Sequence, residues 1–81
     1  MATSEQDVST IDVVAPIVGN IWQLQAEIGD SVDVGQTLMI LESMKMEIPI
    51  TAPRAGIVTT IPVDLAQIVQ EGDVVATLTV D

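Results

Sequence analysis

Residues 41–50 read LESMKMEIPI, and this stretch predicts a β-hairpin. From Met46 to Ile50, apolar residues alternate with Glu47 and Pro49, which is the period of a strand with one face toward a core. Proline has no N–H to donate to a ladder, so we expect Pro49 on an edge strand or facing away from the ladder. The stretch therefore favours a β-sheet with one buried face.

The centre of this hairpin is Met44-Lys45, a pair that is unusual in a tight turn. A two-residue hairpin turn needs positive φ at both residues, and Asn-Gly is the usual choice. Methionine and lysine in that conformation cost about 1–3 kcal/mol each. Such a mismatch between local preference and position points to function. The alternative is an ordinary solvated lysine beside methionines of the core edge, and spacing alone leaves both interpretations open.

Lys45 is the only lysine of the chain. Catalytic lysines are activated by desolvation or by neighbouring cations. Lys45 instead lies between Glu42 and Glu47, at a tip that we expect to be exposed to water. We therefore interpret it as an amine that another protein's active site deprotonates and acylates.

Outside the hairpin, short β-branched runs alternate with turn residues, and no helical period appears. We expect a loose acidic tail over residues 1–10 and one domain over residues 11–81. The predicted strands are residues 11–15, 20–26, 37–42, 46–52, 57–61 and 74–80, with shorter extended pieces near Val32 and Val69.

The domain also repeats itself, since residues 15–41 match residues 52–78 at an interval of 37 residues. Each copy opens with Ala-Pro, and the matched glycines are Gly19 with Gly56 and Gly35 with Gly72. Two halves in one small domain predict a pseudo-two-fold sandwich, with coincidence among β-rich residues as the alternative. A two-fold axis would place Lys45 at the end of the molecule opposite Ile11 and Val80.

Composition excludes several classes of function. The chain has 81 residues and a net charge of −10, which opposes binding to nucleic acid or to an anionic membrane and favours a monomer. It contains no His and no Cys, which removes histidine bases, thiol nucleophiles and the usual metal sites, so an independent hydrolase or other enzyme is not expected. With no secretory signal and no run long enough to span a membrane, we expect a cytoplasmic protein.

Three segments resemble a known family. Residues 42–46 read ESMKM and resemble the biotin-attachment motif, usually EAMKM. Residues 29–38 read GDSVDVGQTL and are similar to the GDxVxxGxxL that precedes the motif, while residues 52–56 read APRAG and are similar to the APxxG that follows it. The chain past the tail thus resembles the biotinyl domain. This resemblance implies an all-β flattened barrel-sandwich hybrid of two quasi-symmetric four-stranded antiparallel sheets.

The resemblance also implies a function. Biotin would be amide-linked to Lys45 by a biotin protein ligase that recognises Met44, Met46 and Glu42. The module would carry carboxyl between biotin carboxylase and carboxyltransferase components, without catalysis of its own. Lipoyl domains typically have Asp-Lys-Ala at this turn, so lipoate is the less favoured cofactor. The alternatives are a lipoyl or dual biotin/lipoyl carrier, and an unmodified interaction module of the same fold.

The chain departs from the family pattern in a few places. Ser43 stands where alanine is commoner, and Ala66-Gln67 replaces the Gly-Asp of the second half, which leaves the geometry of that turn open. Residues 24–29 leave no room for the extra thumb segment of some carriers. Trp22, the only aromatic residue, corresponds to Thr59 in the repeat. We expect Trp22 to be partly exposed, with a core tryptophan as the alternative.

Overall fold

A computed structural model describes residues 9–80, and the regular structure in this range is entirely β. No helix in this range is long and apolar enough to cross a membrane. Eight strands occur within it: β1 Ser9–Val14, β2 Gly19–Leu24, β3 Ser31–Val32, β4 Thr37–Ser43, β5 Met46–Thr51, β6 Gly56–Thr60, β7 Ile68–Val69 and β8 Val74–Val80.

The strands form two four-stranded antiparallel sheets, which confirms the predicted fold class. Sheet A has the order β1-β8-β6-β3, and sheet B has the order β5-β4-β2-β7. Each sheet takes two strands from each half of the chain, so the halves interleave. The predicted edge position of Pro49 is confirmed, because β5 is the outer strand of sheet B.

Main-chain hydrogen bonds outside the ladders confirm the repeat. A bond in one half recurs in the other with both partners displaced by 37 residues. Gly35 N donates to Ala52 O as Gly72 N donates to Ala15 O, at 2.8 and 2.9 Å. Likewise, Val58 N donates to Asp30 O as Ile21 N donates to Gln67 O, at 2.9 Å in both cases. The halves are therefore joined reciprocally, as a pseudo-two-fold relation requires.

The turn at Ala66-Gln67 keeps the geometry of its counterpart at Gly29-Asp30. Ala66 has a φ of 68° where Gly29 has a φ of 96°. The Gln67 side chain replaces that of Asp30, because Gln67 Oε1 accepts a hydrogen bond from Asp64 N just as Asp30 Oδ2 accepts one from Glu27 N, both at 2.9 Å. The open question about this turn is thus answered: the turn is retained, with an alanine in a left-handed conformation.

The core lies between the inner faces of the two sheets and is aliphatic. Its largest fully buried side chains come from both halves: Ile21, Leu38, Met39, Leu41, Val58, Val69, Val75, Leu78 and Val80. Because both sheets need strands from both halves, neither half can bury its apolar face alone.

The strand pairing fixes the two ends of the molecule. Ser9 pairs with Val80, and β6 begins beside the same end of β8, since Ile57 pairs with Thr79. The connection from β5 to β6 is only residues 52–55, so the end of β5 distant from Lys45 also lies there. Lys45 therefore lies at the end of the domain opposite Val80, as the repeat predicts.

Most strand boundaries agree with the prediction to within two residues. β2 ends at Leu24, two residues early, because Gln25 N and Ala26 N both donate to Leu38 O and so interrupt the ladder. β1 begins at Ser9, two residues before the predicted domain boundary. The rest of the predicted tail, residues 1–8, lies outside the described residues.

Candidate functional site

The β4–β5 hairpin presents Lys45. Glu42 pairs with Glu47, and Ser43 with Met46, so the turn contains only Met44 and Lys45. Their φ angles are 53° and 65°, which confirms the positive φ predicted at both positions. A tight turn of this kind fixes the direction in which the lysine leaves the sheet.

The side chains of the turn point into solvent above a buried base. Met44 is 85% exposed, Met46 is 61% exposed, and Lys45 is exposed as well. Below them Ser43 is buried, and Leu41 is one of the fully buried core residues. The amine is thus accessible to another protein while the strand that carries it is anchored in the core.

The alternation along β5 predicts that Met46 lies on the inward side of the strand, together with Ile48 and Ile50. Along that side Ile50 is buried and Ile48 is half-buried, whereas Met46 is largely exposed. Met46 lies in the last pair of the ladder on the outer strand of sheet B, whereas its partner Ser43 lies on the inner strand β4 and is buried.

Two carboxylates flank the turn on the outer face of sheet B. Glu42 and Glu47 lie directly opposite each other on β4 and β5. Asn20 on β2 holds the first of them: with its side-chain nitrogen toward Glu42, it donates to Glu42 O at 3.2 Å and to Oε1 at 3.3 Å. Sequence reasoning missed Asn20, because only the pairing of β2 with β4 brings it beside Glu42.

Lys45 lacks the features that activate a catalytic lysine. It is exposed, and the only other basic residue, Arg54, lies in the 52–55 connection at the opposite end of the domain. Within residues 9–80, neither burial nor a neighbouring basic side chain, the features that activate catalytic lysines, is present at Lys45. The geometry suits covalent modification by an external enzyme.

Trp22 also lies on the outer face of sheet B. It occupies an irregularity of the β2–β4 ladder between Ile21 and Gln23, and it is 46% exposed. The expectation of a partly exposed tryptophan is confirmed, and the core alternative is wrong. Ile21, its neighbour in the chain, is fully buried and points to the opposite side of the strand.

Comparison with known proteins gives consistent matches. The family model described as "Biotin-requiring enzyme" (Biotin_lipoyl) matches residues 9–78. The biotin/lipoyl attachment protein of Bacillus subtilis (strain 168) is 47% identical over 62 residues, which are 76% of this chain and 85% of that protein. The biotin carboxyl carrier protein of Streptococcus mutans is 45% identical over 64 residues, covering 79% of this chain and 49% of that protein.

A solved structure supports the same relationship. The urea carboxylase of Kluyveromyces lactis contains a region that superposes on this chain with a TM-score of 0.83 and 30% sequence identity. The match covers 86% of this chain and only 6% of that enzyme. The similarity is therefore to one small part of a much larger protein.

Proposed function

Because the chain belongs to the biotin/lipoyl attachment family, we propose that it is a biotin carboxyl carrier module with biotin amide-linked to Lys45. The observation that carries the proposal is the placement of the only lysine. Lys45 is exposed, at a turn whose two residues both have positive φ, between Met44 and Met46. The name of the Streptococcus mutans relative supports the carboxyl-carrier role.

The residues of the turn fit a covalently attached group. A primary amine can form an amide with a carboxylic acid, and the exposed tip lets a ligase reach that amine. We propose that a biotin protein ligase recognises Met44, Met46 and Glu42 and activates the carboxylate of biotin with ATP as an acyl-adenylate, which releases pyrophosphate. After the Lys45 ammonium loses a proton, Nζ attacks the carboxyl carbon, so that the C–N bond forms as the C–O bond to AMP breaks. Attached biotin supplies the carboxyl-carrying chemistry.

The protein's own part is to position and to carry. The buried base under the turn keeps the arm pointing out of the end of the domain, while the termini of the described chain lie at the other end. We propose that Lys45 visits a biotin carboxylase site and a carboxyltransferase site in turn. Tethering raises the effective concentration of the arm at both sites, so each docking event can be weak.

One observation favours a second candidate function, that of a lipoyl carrier. The relative from Bacillus subtilis, 47% identical, is named a biotin/lipoyl attachment protein. By analogy, this chain would accept lipoate at the same amine, alone or besides biotin. An unmodified interaction module of the same fold is the remaining alternative.

Intact mass after modification separates these candidates. The chain is incubated with a biotin protein ligase, biotin and ATP, and in parallel with a lipoate ligase and lipoate. We expect one biotinyl group and no more, and loss of the amine's charge should move the net charge from −10 to −11 on ion exchange. Lys45→Arg, which keeps the charge, should acquire no group.

The other possible mass spectra would each select a different function or a different site. A lipoyl adduct without a biotinyl adduct would replace the proposal with the lipoyl carrier. No adduct from either ligase would favour the unmodified module. A side-chain adduct on Lys45→Arg would overturn the assignment of the site.

A further inference from the structure

The outer faces of the two sheets differ at positions that the repeat makes equivalent. On sheet A four of these positions hold threonines, and they pair with one another. The hydroxyl oxygens of Thr59 and Thr79 lie 2.6 Å apart, as do those of Thr60 and Thr77. These four hydroxyls therefore bond to one another, and the fold accepts threonine at all four positions.

The same four positions on sheet B hold Trp22, Gln23, Ile40 and Glu42. Beside them Ile68, which is 67% exposed, pairs with Asn20 at the β7 edge and stands where sheet A has Ser31. Pro49 pairs with Ile40 on the other side and is exposed. We name this surface the Trp22 face and define it as Trp22, Ile40, Pro49 and Ile68.

The fold does not require the apolar side chains of the Trp22 face, because the other sheet is built with polar residues in their places. A partner that covers this surface would gain a binding free energy of about 25 cal/mol for each Å² of apolar area that it buries. Tryptophan is also among the residues most enriched at protein-binding hot spots. The difference between the sheets thus indicates a binding surface.

A second difference gives the charge of the partner. Glu42 and Glu47 face each other at the edge of the Trp22 face, where sheet A has the neutral pair Thr79 and Thr10. Like charges directly opposite on neighbouring strands are destabilising. The chain also carries a net charge of −10. A partner that presents lysine or arginine beside an apolar side chain would relieve this repulsion and cover the apolar surface.

The position of the face favours an enzyme that acts on the group carried by Lys45 over one that modifies the amine itself. Ile40 lies three residues before Ser43, the last residue of β4, so it is about 10 Å behind the start of the turn at ~3.3 Å per residue. An enzyme that modifies the amine itself must hold the tip. An enzyme that acts on the far end of a group attached to Lys45 can instead rest against the flank of the domain.

We propose that the Trp22 face docks the biotin carboxylase component that acts on the group carried by Lys45, through an apolar side chain flanked by lysine or arginine. This inference rests on the proposed function. The face has four apolar side chains, so the contact is small and transient. Weak docking of this kind is what a carrier that must leave each site requires.

The test uses the biotinylated chain as a substrate of its host's biotin carboxylase component with bicarbonate and ATP, and phosphate release is measured against carrier concentration. Trp22→Thr, which copies Thr59, should raise KM about tenfold and leave kcat within about twofold. Ile68→Ser, which copies Ser31, should also raise KM. The control is Val34→Ser, since Val34 is 68% exposed but lies outside this face, and its KM should not change.

A second readout needs no substitution. Trp22 is the only tryptophan, so 5-fluorotryptophan labelling gives one ¹⁹F resonance from the centre of the face. That resonance should shift when the carboxylase component is added, and the shift should weaken as NaCl is raised, because salt screens the acidic pair. A resonance that does not move would overturn the proposal even if a variant failed to fold.

The remaining outcomes are also decisive. If biotinylated wild type is turned over and Trp22→Thr has the same KM, the docking proposal falls while the proposed function stands. If Trp22→Thr slows biotinylation by the ligase as much as it slows carboxylation, the face serves the ligase and the docking proposal falls. If wild type acquires no biotin, the proposed function fails and the docking proposal fails with it.

Discussion

Ala66 adopts a left-handed conformation, and the equivalent position in the other half of the chain is a glycine, Gly29. Its φ is 68°, whereas Gly29 has a φ of 96°. A side chain with Cβ is disfavoured there by roughly 1–2 kcal/mol. We expect Ala66→Gly to raise the free energy of unfolding by about 1 kcal/mol, which is a rise in Tm of roughly 4–8 °C for a domain of this size.

Gly29→Ala is the matched control for Ala66→Gly. Nothing lies within 4 Å of a Cβ built on Gly29, so the substitution tests the backbone conformation without a clash. It should lower the Tm by a similar amount. Equal Tm values for all three chains in thermal melts would contradict the assignment of strain to this turn.

Met44 and Met46 are exposed, whereas Met39, the other methionine of the hairpin, is fully buried. Because both are largely in solvent, Met44→Ala and Met46→Ala should change the free energy of unfolding by less than about 0.5 kcal/mol. If they serve ligase recognition, both should nevertheless slow biotinylation in a time course. Met39→Ala gives the opposite pattern: Met39 is fully buried, so we expect a loss of about 2–5 kcal/mol. Large destabilisation by the Met44 or Met46 change, with unaltered biotinylation, would contradict the recognition role.

At the scale of the element, the β4–β5 hairpin holds two carboxylates in direct opposition. Glu47→Gln removes one charge of the Glu42–Glu47 pair and keeps the shape of the side chain. We expect the free energy of unfolding to rise by roughly 0.5 kcal/mol at low salt. The gain should shrink in 0.5 M NaCl, where the Debye length is only about 3–8 Å.

Glu71→Gln is the control, because it makes the same change of charge at an exposed turn residue. Chemical denaturation of the three chains at two salt concentrations measures the effect. A gain from Glu71→Gln equal to that from Glu47→Gln would assign the effect to the net charge and not to the facing pair.

The hairpin also shows what the sequence could predict. Met-Lys at a two-residue turn predicted positive φ at both positions, because apolar alternation on the flanking strands left no other place for the turn. For β3 and β7 the sequence predicts only short extended pieces near Val32 and Val69. Strands of two residues have no periodicity, and they form through pairing with β6 and β2 at distant positions in the chain.

The Trp22 face was beyond sequence reasoning for a related reason. The repeat showed that Trp22 corresponds to Thr59, which identified the difference between the halves. It could not show that Ile68 pairs with Asn20, or that Asn20 pairs with Glu42 on the same face. Those neighbours depend on the register between strands, which local patterns do not contain.

At the scale of the whole molecule, the interleaving of the halves governs folding. Residues 9–45 contain β1 to β4, but only β2 and β4 among them are neighbours in a sheet. We therefore expect the fragments 9–45 and 46–80 to lack a strand signal in far-UV circular dichroism when each is alone. A cooperative thermal transition from either fragment by itself would contradict this expectation, with the chain of residues 9–80 as the positive control.

The pairing of Ser9 with Val80 has a consequence for how this domain can be joined to others. Residues directly opposite in an antiparallel ladder have Cα atoms about 5 Å apart, so the chain enters and leaves the described domain at one point. A loop in another protein can be interrupted by residues 9–80 without forcing its own ends apart. The same module can thus be attached at the end of another protein or inserted within it. In both cases the domain is connected at one end only, and Lys45 lies at the other end, where rotation about the connection moves it farthest.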